Sequence, residues 1–239
     1  MIRTIGVLIV CVWLLAVPAQ AATTIFNDTF TGAAGNLSAH SPDTGTSWTS
    51  VLQSTVLIKL DGSGNAYDGV GPDSAGYQYL TADATYPSAN YNITATLSTF
   101  SPGGGTRMIG IIGRYVDSSN YYMATIIDSG QANDVRIYKV VAGTATKISG
   151  SEDTNPTTND VFIFEFNGSA IGLKKNGSYV INPITDATFS SAGKAGLGAG
   201  DFGTETGMQT AGTGALVTTF LVDYAPAAVS GRRKPVVFQ

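Results

Sequence analysis

Three glutamates, one histidine and one cysteine are the scarce residues from which this 239-residue chain would have to build most chemistry. Cleaving a sugar bond on a strand takes two carboxylates on one face, because alternate strand residues share a face and the pair must act together. Glu152, Glu165 and Glu205 offer no such pair, since none has a carboxylate two residues away. Glu165 has Ile163 and Asn167 as its same-face neighbours, and the other two glutamates fall in polar loops. A Ser-His-Asp arrangement would have to use His40. That residue sits in Ala39-His-Ser-Pro-Asp43, which reads as a turn whose histidine serves hydrogen bonding. Cys11 lies in an N-terminal apolar run, so the rest of the chain has neither thiol chemistry nor a disulfide.

That run shapes the domain reading. Arg3 precedes an apolar stretch from Ile5 to Val17, and Pro18-Ala-Gln-Ala21 gives a small-residue cleavage pattern. Residues 1–21 are therefore expected to be a signal peptide, with the mature chain starting at Ala22. The expectation is export: secretion, with periplasm or cell surface as variants. No membrane contact is expected once the signal is gone, because the run is shorter than the roughly 20 residues of a span. Charged residues make up only 13% of the chain, about half the usual quarter. From Ala22 to Gly231 there are nine Lys/Arg against 17 Asp/Glu. Such a body repels nucleic acid, whose binding rests on neutralising phosphates. Residues 226–239 read as a linker and a short basic tail, Arg232-Arg-Lys234 leading into Pro235-Val-Val-Phe-Gln239.

Period-two alternation runs through the remainder. Tyr91, Ile93, Ala95 and Leu97 share one face, and so do Phe162, Phe164 and Phe166. The stretch 213–224 alternates Val217, Thr219, Leu221 and Asp223 against Leu216, Thr218, Phe220 and Val222. Shorter strands are expected at 24–30, 55–60, 77–81, 108–115, 121–127, 135–141, 144–149, 171–174, 179–181 and 195–200. Asn176-Gly177 marks a two-residue hairpin, because both central positions need positive φ. About a dozen strands and no helical period predict an all-β fold, an antiparallel two-sheet β-sandwich over residues 22–225.

Several segments resemble a known superfamily. Phe26-Asn-Asp-Thr-Phe-Thr-Gly32 followed by His40-Ser-Pro-Asp-Thr-Gly-Thr-Ser-Trp48 is similar to the opening strand and turn of concanavalin A-like (laminin-G-like, lectin/glucanase) domains of bacterial or phage type. Gly113-Arg-Tyr-Val-Asp-Ser-Ser-Asn-Tyr-Tyr-Met-Ala124 resembles a central hairpin of that group, and 135–143 and 193–198 its later strands. The resemblance implies a jelly-roll sandwich. It leaves function open, since the superfamily spans lectins, glycan-binding modules, glycosidases, lyases and virion proteins.

Sugar binding needs outward aromatic rings beside Asn, Asp or Arg. Tyr77, Tyr79, Arg114, Tyr121 and Tyr122 are the candidates. Adjacent strand residues point to opposite faces, so one of Tyr121 and Tyr122 should face outward. Trp48 is expected to plug one end of the core. The resemblance also implies calcium as a candidate cofactor, with Asp28, Asp61, Asp68 and Asp73 as weak candidate ligands, since Asp and Gly dominate turns for conformational reasons anyway. The expected function is a secreted, non-catalytic carbohydrate-binding protein with a polysaccharide or glycan as partner. The alternative is a structural component that self-associates or joins an extracellular or virion assembly. Glycoside hydrolase or polysaccharide lyase activity ranks third.

Overall fold

The computed structural model describes residues 21–53, 57–68, 77–100, 107–128, 135–150, 154–200 and 215–224. The expected signal sequence up to residue 20, the tail 226–239, Asp73, Glu152 and Glu205 lie outside the described residues.

Alternating patterns become strands because each can bury one face and hydrate the other. The described strands are β1 (Thr23–Asp28), β2 (Gly35–Asn36), β3 (Ser47–Gln53), β4 (Ile58–Leu60), β5 (Ala66–Asp68), β6 (Tyr77–Asp83), β7 (Tyr91–Phe100) and β8 (Arg107–Asp117). After these come β9 (Asn120–Asp128), β10 (Val135–Val141), β11 (Thr144–Lys147), β12 (Val161–Asn167), β13 (Ala170–Lys175), β14 (Ser178–Thr185), β15 (Lys194–Gly200) and β16 (Ala215–Tyr224). A single 3-10 turn, Leu37–Ala39, interrupts them among the described residues.

They form two antiparallel sheets, packed as the expected sandwich. The first runs β14-β13-β12-β7-β16-β5-β4-β2, with β1 also paired to β16. The second runs β11-β10-β9-β8-β15-β6-β3. Between them lie Tyr91, Ile93, Ala95 and Leu97 from β7 and Phe162, Phe164 and Phe166 from β12, the faces that the alternation assigns. Trp48 is buried against Phe26 (ring centroids 4.9 Å apart) and Phe220 (5.1 Å). The turn at Asn176-Gly177 has the positive φ values, 51° and 85°, that this hairpin requires.

Two local features depart from simple alternation. In β16 the pairing with β7 shifts between Val217 and Thr219, so Val217 and Phe220 both reach the core. In β8, Arg114 has φ +47° and the register with β9 breaks after Gly113. A bulge of this kind re-aims a side chain.

Candidate functional site

The Arg114 side chain turns inward and is fully buried. Its Nη1 donates to Phe189 O (2.8 Å), Nη2 to Gly168 O (2.5 Å) and Ala89 O (3.0 Å), and Nε to Ala89 O (3.2 Å). The guanidinium lies 4.9 Å from the Phe166 ring centroid. Burial lowers its affinity for the proton. The residue ties three connections together at one end of the sandwich.

Tyr122 and Tyr121 point to opposite faces, as alternation demands, yet both are buried. Tyr122 lies in the core between the sheets, and its hydroxyl donates to Asp186 Oδ1 (2.6 Å). Burial pushes it up to about 12. Lys139 Nζ reaches the other oxygen of Asp186 at 2.7 Å. Tyr121 sits on the outer face of the second sheet, 6.2 Å from the Tyr79 ring, in an apolar cluster with Met108, Ile112 and Met123. The partly buried residues packed with that cluster, Val51, Leu52, Tyr115 and Ala145, belong to the same sheet. Tyr79 and Tyr121 are thus the expected residues that the fold brings together, and the sequence-derived tyrosines Tyr79, Tyr121 and Tyr122 present no open ring in this structure. Tyr77 opens β6, and its side chain lies outside the described residues.

The calcium candidates divide similarly. Asp28 is fully buried, and its oxygens accept from Phe30 N (2.7 Å), Trp48 Nε1 (2.6 Å) and His40 Nε2 (3.1 Å). Asp61 accepts from Ser63 N (2.6 Å) and from Asn65 N (3.1 Å) and Nδ2 (2.5 Å). Both carboxylates are filled by protein donors, as in turn-forming aspartates, and do not fit a calcium ligand's role as they stand. The Asp68 side chain and all of Asp73 lie outside the described residues. No group of three or more His, Cys, Asp or Glu suited to a metal occurs among the described residues.

An open aromatic ring occurs elsewhere, at Tyr179 on β14. It is 41% exposed, and it lies over Gly172 of β13, where a Cβ would come within 2.9 Å of the ring. Its hydroxyl donates to Glu165 Oε2, and Lys174 Nζ sits 3.1 Å from the same oxygen and 4.6 Å from the ring centroid. Donation to Glu165, then burial, pushes the Tyr179 hydroxyl up. Burial alone would lower Lys174, but the Glu165 bond and charge raise it instead. A cleft of about 60 Å³ opens beside the ring, lined by Glu165, Asn167, Ala170, Gly172 and Pro183 as well as Tyr179.

Because β7 and β12 bury their other faces, the polar residues between must point outward. Asp223, Asn92, Glu165 and Gly172 are in register across β16, β7, β12 and β13. That row spans three strand spacings, about 14 Å. Burial pushes the Asp223 carboxyl up, with the Asn92 bond opposing. Its Oδ1 is buried without a hydrogen-bond partner. Glu165 and Asp223 flank Asn92, about 10 Å apart at Cα. Sequence reasoning placed Tyr179 in a strand but could not single it out, since its exposure depends on a glycine in the neighbouring strand.

No family model matches the sequence, and no curated protein matches it. Solved structures do. The CBM2 module of the evolved Dit of Lactobacillus casei BL23 phage J-1 aligns with a TM-score of 0.54 at 12% identity, over 86% of this chain and 97% of that one. The VIP36 exoplasmic/lumenal domain in its Ca2+-bound form aligns with a TM-score of 0.55 at 8% identity, covering 80% and 88%. A glycosyl hydrolase family protein from Mycobacterium fortuitum aligns with a TM-score of 0.54 at 14% identity, covering 84% and 99%. At these identities the likeness is one of fold alone: a sandwich of two antiparallel sheets.

Proposed function

We propose that this chain is an exported, non-catalytic carbohydrate-binding protein, and that it holds an extended glycan along the outward row of the first sheet. The observation that carries the reading is the exposed Tyr179 ring, lying over Gly172 and tied to Glu165 and Lys174 beside an open cleft. An aromatic ring offers its face to the apolar face of a sugar, and a fixed carboxylate and ammonium bind hydroxyls without reorganising. Asn92 and Asn167 continue that hydrogen-bonding surface. The carbohydrate-binding module and the lectin among the fold neighbours support the reading, and the superfamily likeness of the opening segments agrees with it.

The test is calorimetric titration of residues 22–239 with a panel of soluble polysaccharides. Binding to at least one is expected, weakened about tenfold in Tyr179→Ala, which corresponds to about 1.4 kcal/mol. Unchanged circular dichroism would show that the variant folds. Ordered oligomers with no glycan binding across the panel would replace this reading by the structural one. Turnover of a glycan, lost in both Glu165→Gln and Asp223→Asn, would replace it by an inverting hydrolase that uses the widely spaced carboxylates.

A further inference from the structure

At the opposite edge of the same sheet, β2 and β4 border a second concavity. It is an open depression of about 510 Å³ whose lining includes Thr31, Ala34, Asn36, His40, Ser41 and Leu60, and among the described residues no Asp, Glu, Lys or Arg. His40 is the only histidine of the chain, and its side chain is 12% exposed. The fully buried Asp28 carboxylate sits 3.1 Å from Nε2. A carboxylate accepts, so Nε2 carries a proton toward Asp28, which leaves Nδ1 at the other edge of the ring to hydrogen-bond elsewhere. Asp28 is itself fixed by Trp48 Nε1 and Phe30 N, which locks the ring's orientation. The other edge of the imidazole lies beside Gly32, where a Cβ would come 3.5 Å from Nδ1. Nδ1 has no hydrogen-bond partner among the described residues.

We propose that this depression is a second ligand site, which takes a terminal, uncharged sugar ring whose hydroxyl hydrogen-bonds to His40 Nδ1. Its volume falls in the range of small-ligand sites, about 300–1,000 Å³. Among the described residues the lining contains no lysine or arginine to hold an anion, so uronates and phosphates are disfavoured. Thr31, Asn36 and Ser41 supply donors and acceptors for further hydroxyls, while Ala34 and Leu60 supply an apolar wall for the ring face. The ligand class rests on the carbohydrate reading above; the location does not. The Tyr179 row would bind along a chain, and this depression would bind an end.

A single histidine allows a direct test. In an untagged chain, one His Cε1–H correlation is observed by NMR while the methyl glycosides of glucose, galactose, mannose and N-acetylglucosamine are titrated in. A saturable shift is expected with at least one of them. It should persist in Tyr179→Ala and weaken at least tenfold in Gly35→Phe. A Cβ at Gly35 meets nothing within 4 Å, so the new ring can fill the depression without displacing neighbours. A still resonance for all four glycosides, in a protein that retains Tyr179-dependent polysaccharide binding, overturns this site alone. A still resonance together with no such binding overturns both readings. A shift that survives Gly35→Phe undiminished also overturns the site.

Discussion

Arg114 shows how one residue can carry chemistry without touching a ligand. A buried guanidinium with no carboxylate beside it among the described residues is tolerable only because the carbonyls of Ala89, Gly168 and Phe189 take its donors. Arg114→Met is expected to lower the unfolding free energy by about 3 kcal/mol or more, since several charge-assisted hydrogen bonds vanish and carbonyls are stranded. Arg114→Lys should recover little, because an ammonium cannot span three loops at once. Urea denaturation of both variants checks this, and a near-neutral Arg114→Met would contradict the assigned role. The sequence marked Arg114 as a residue with something to hold but pointed it at sugar. Its positive φ and its carbonyl acceptors leave no side-chain signature in the sequence. Asp28 was legible in the same partial way: its motif was visible, while the Trp48 and His40 donors that fill it were known only as neighbours in a turn.

Strands were readable where one face is plainly apolar, as in β7 and β12, whose core residues follow from alternation alone. β3 was missed, because Ser47-Trp-Thr-Ser-Val-Leu-Gln53 is mostly polar and lies at the edge of the second sheet, beside β6 only. β16 was found, but its inward residues were not, since the shift near Val217 exchanges the two faces. The glycines of β15 matter for a reason of space. A Cβ on Gly196 would lie 2.3 Å from the Leu80 carbonyl oxygen, whereas one on Gly198 would meet the Tyr79 ring at 2.7 Å. Backbone cannot step aside as a ring can. Gly196→Ala should therefore cost about 1–3 kcal/mol, and Gly198→Ala less, as read from their unfolding midpoints. The reverse ranking would show that β15 and β6 are not held this closely.

For the whole molecule, the carboxylates set the response to acid. Burial would raise Asp83, Asp160 and Asp186, but bonds from Lys194, Lys175 and Lys139 outweigh it and hold all three below the usual carboxylate range. A carboxyl depressed by folding adds stability above its unfolded value, about pH 4, and loses it as the pH falls further. Asp223 acts in the opposite sense: raised by burial, it contributes stability at low pH that is lost as the pH rises through its folded value. Stability should therefore climb gently as the pH falls toward about 4 and drop steeply below it. Asp223→Asn should flatten the gentle limb, and Lys139→Met should soften the steep one; urea midpoints across pH measure both. The strand order has a temporal consequence as well. β1 is the first strand of the sandwich to be synthesised, yet its ladder partner is β16, at residues 215–224, which also completes β7. The first sheet thus cannot close until residues 215–224 have been made. Such long-range pairing folds slowly, so the sheet stays open while the residues between β1 and β16 are synthesised, the condition in which a chain can still be threaded through a pore.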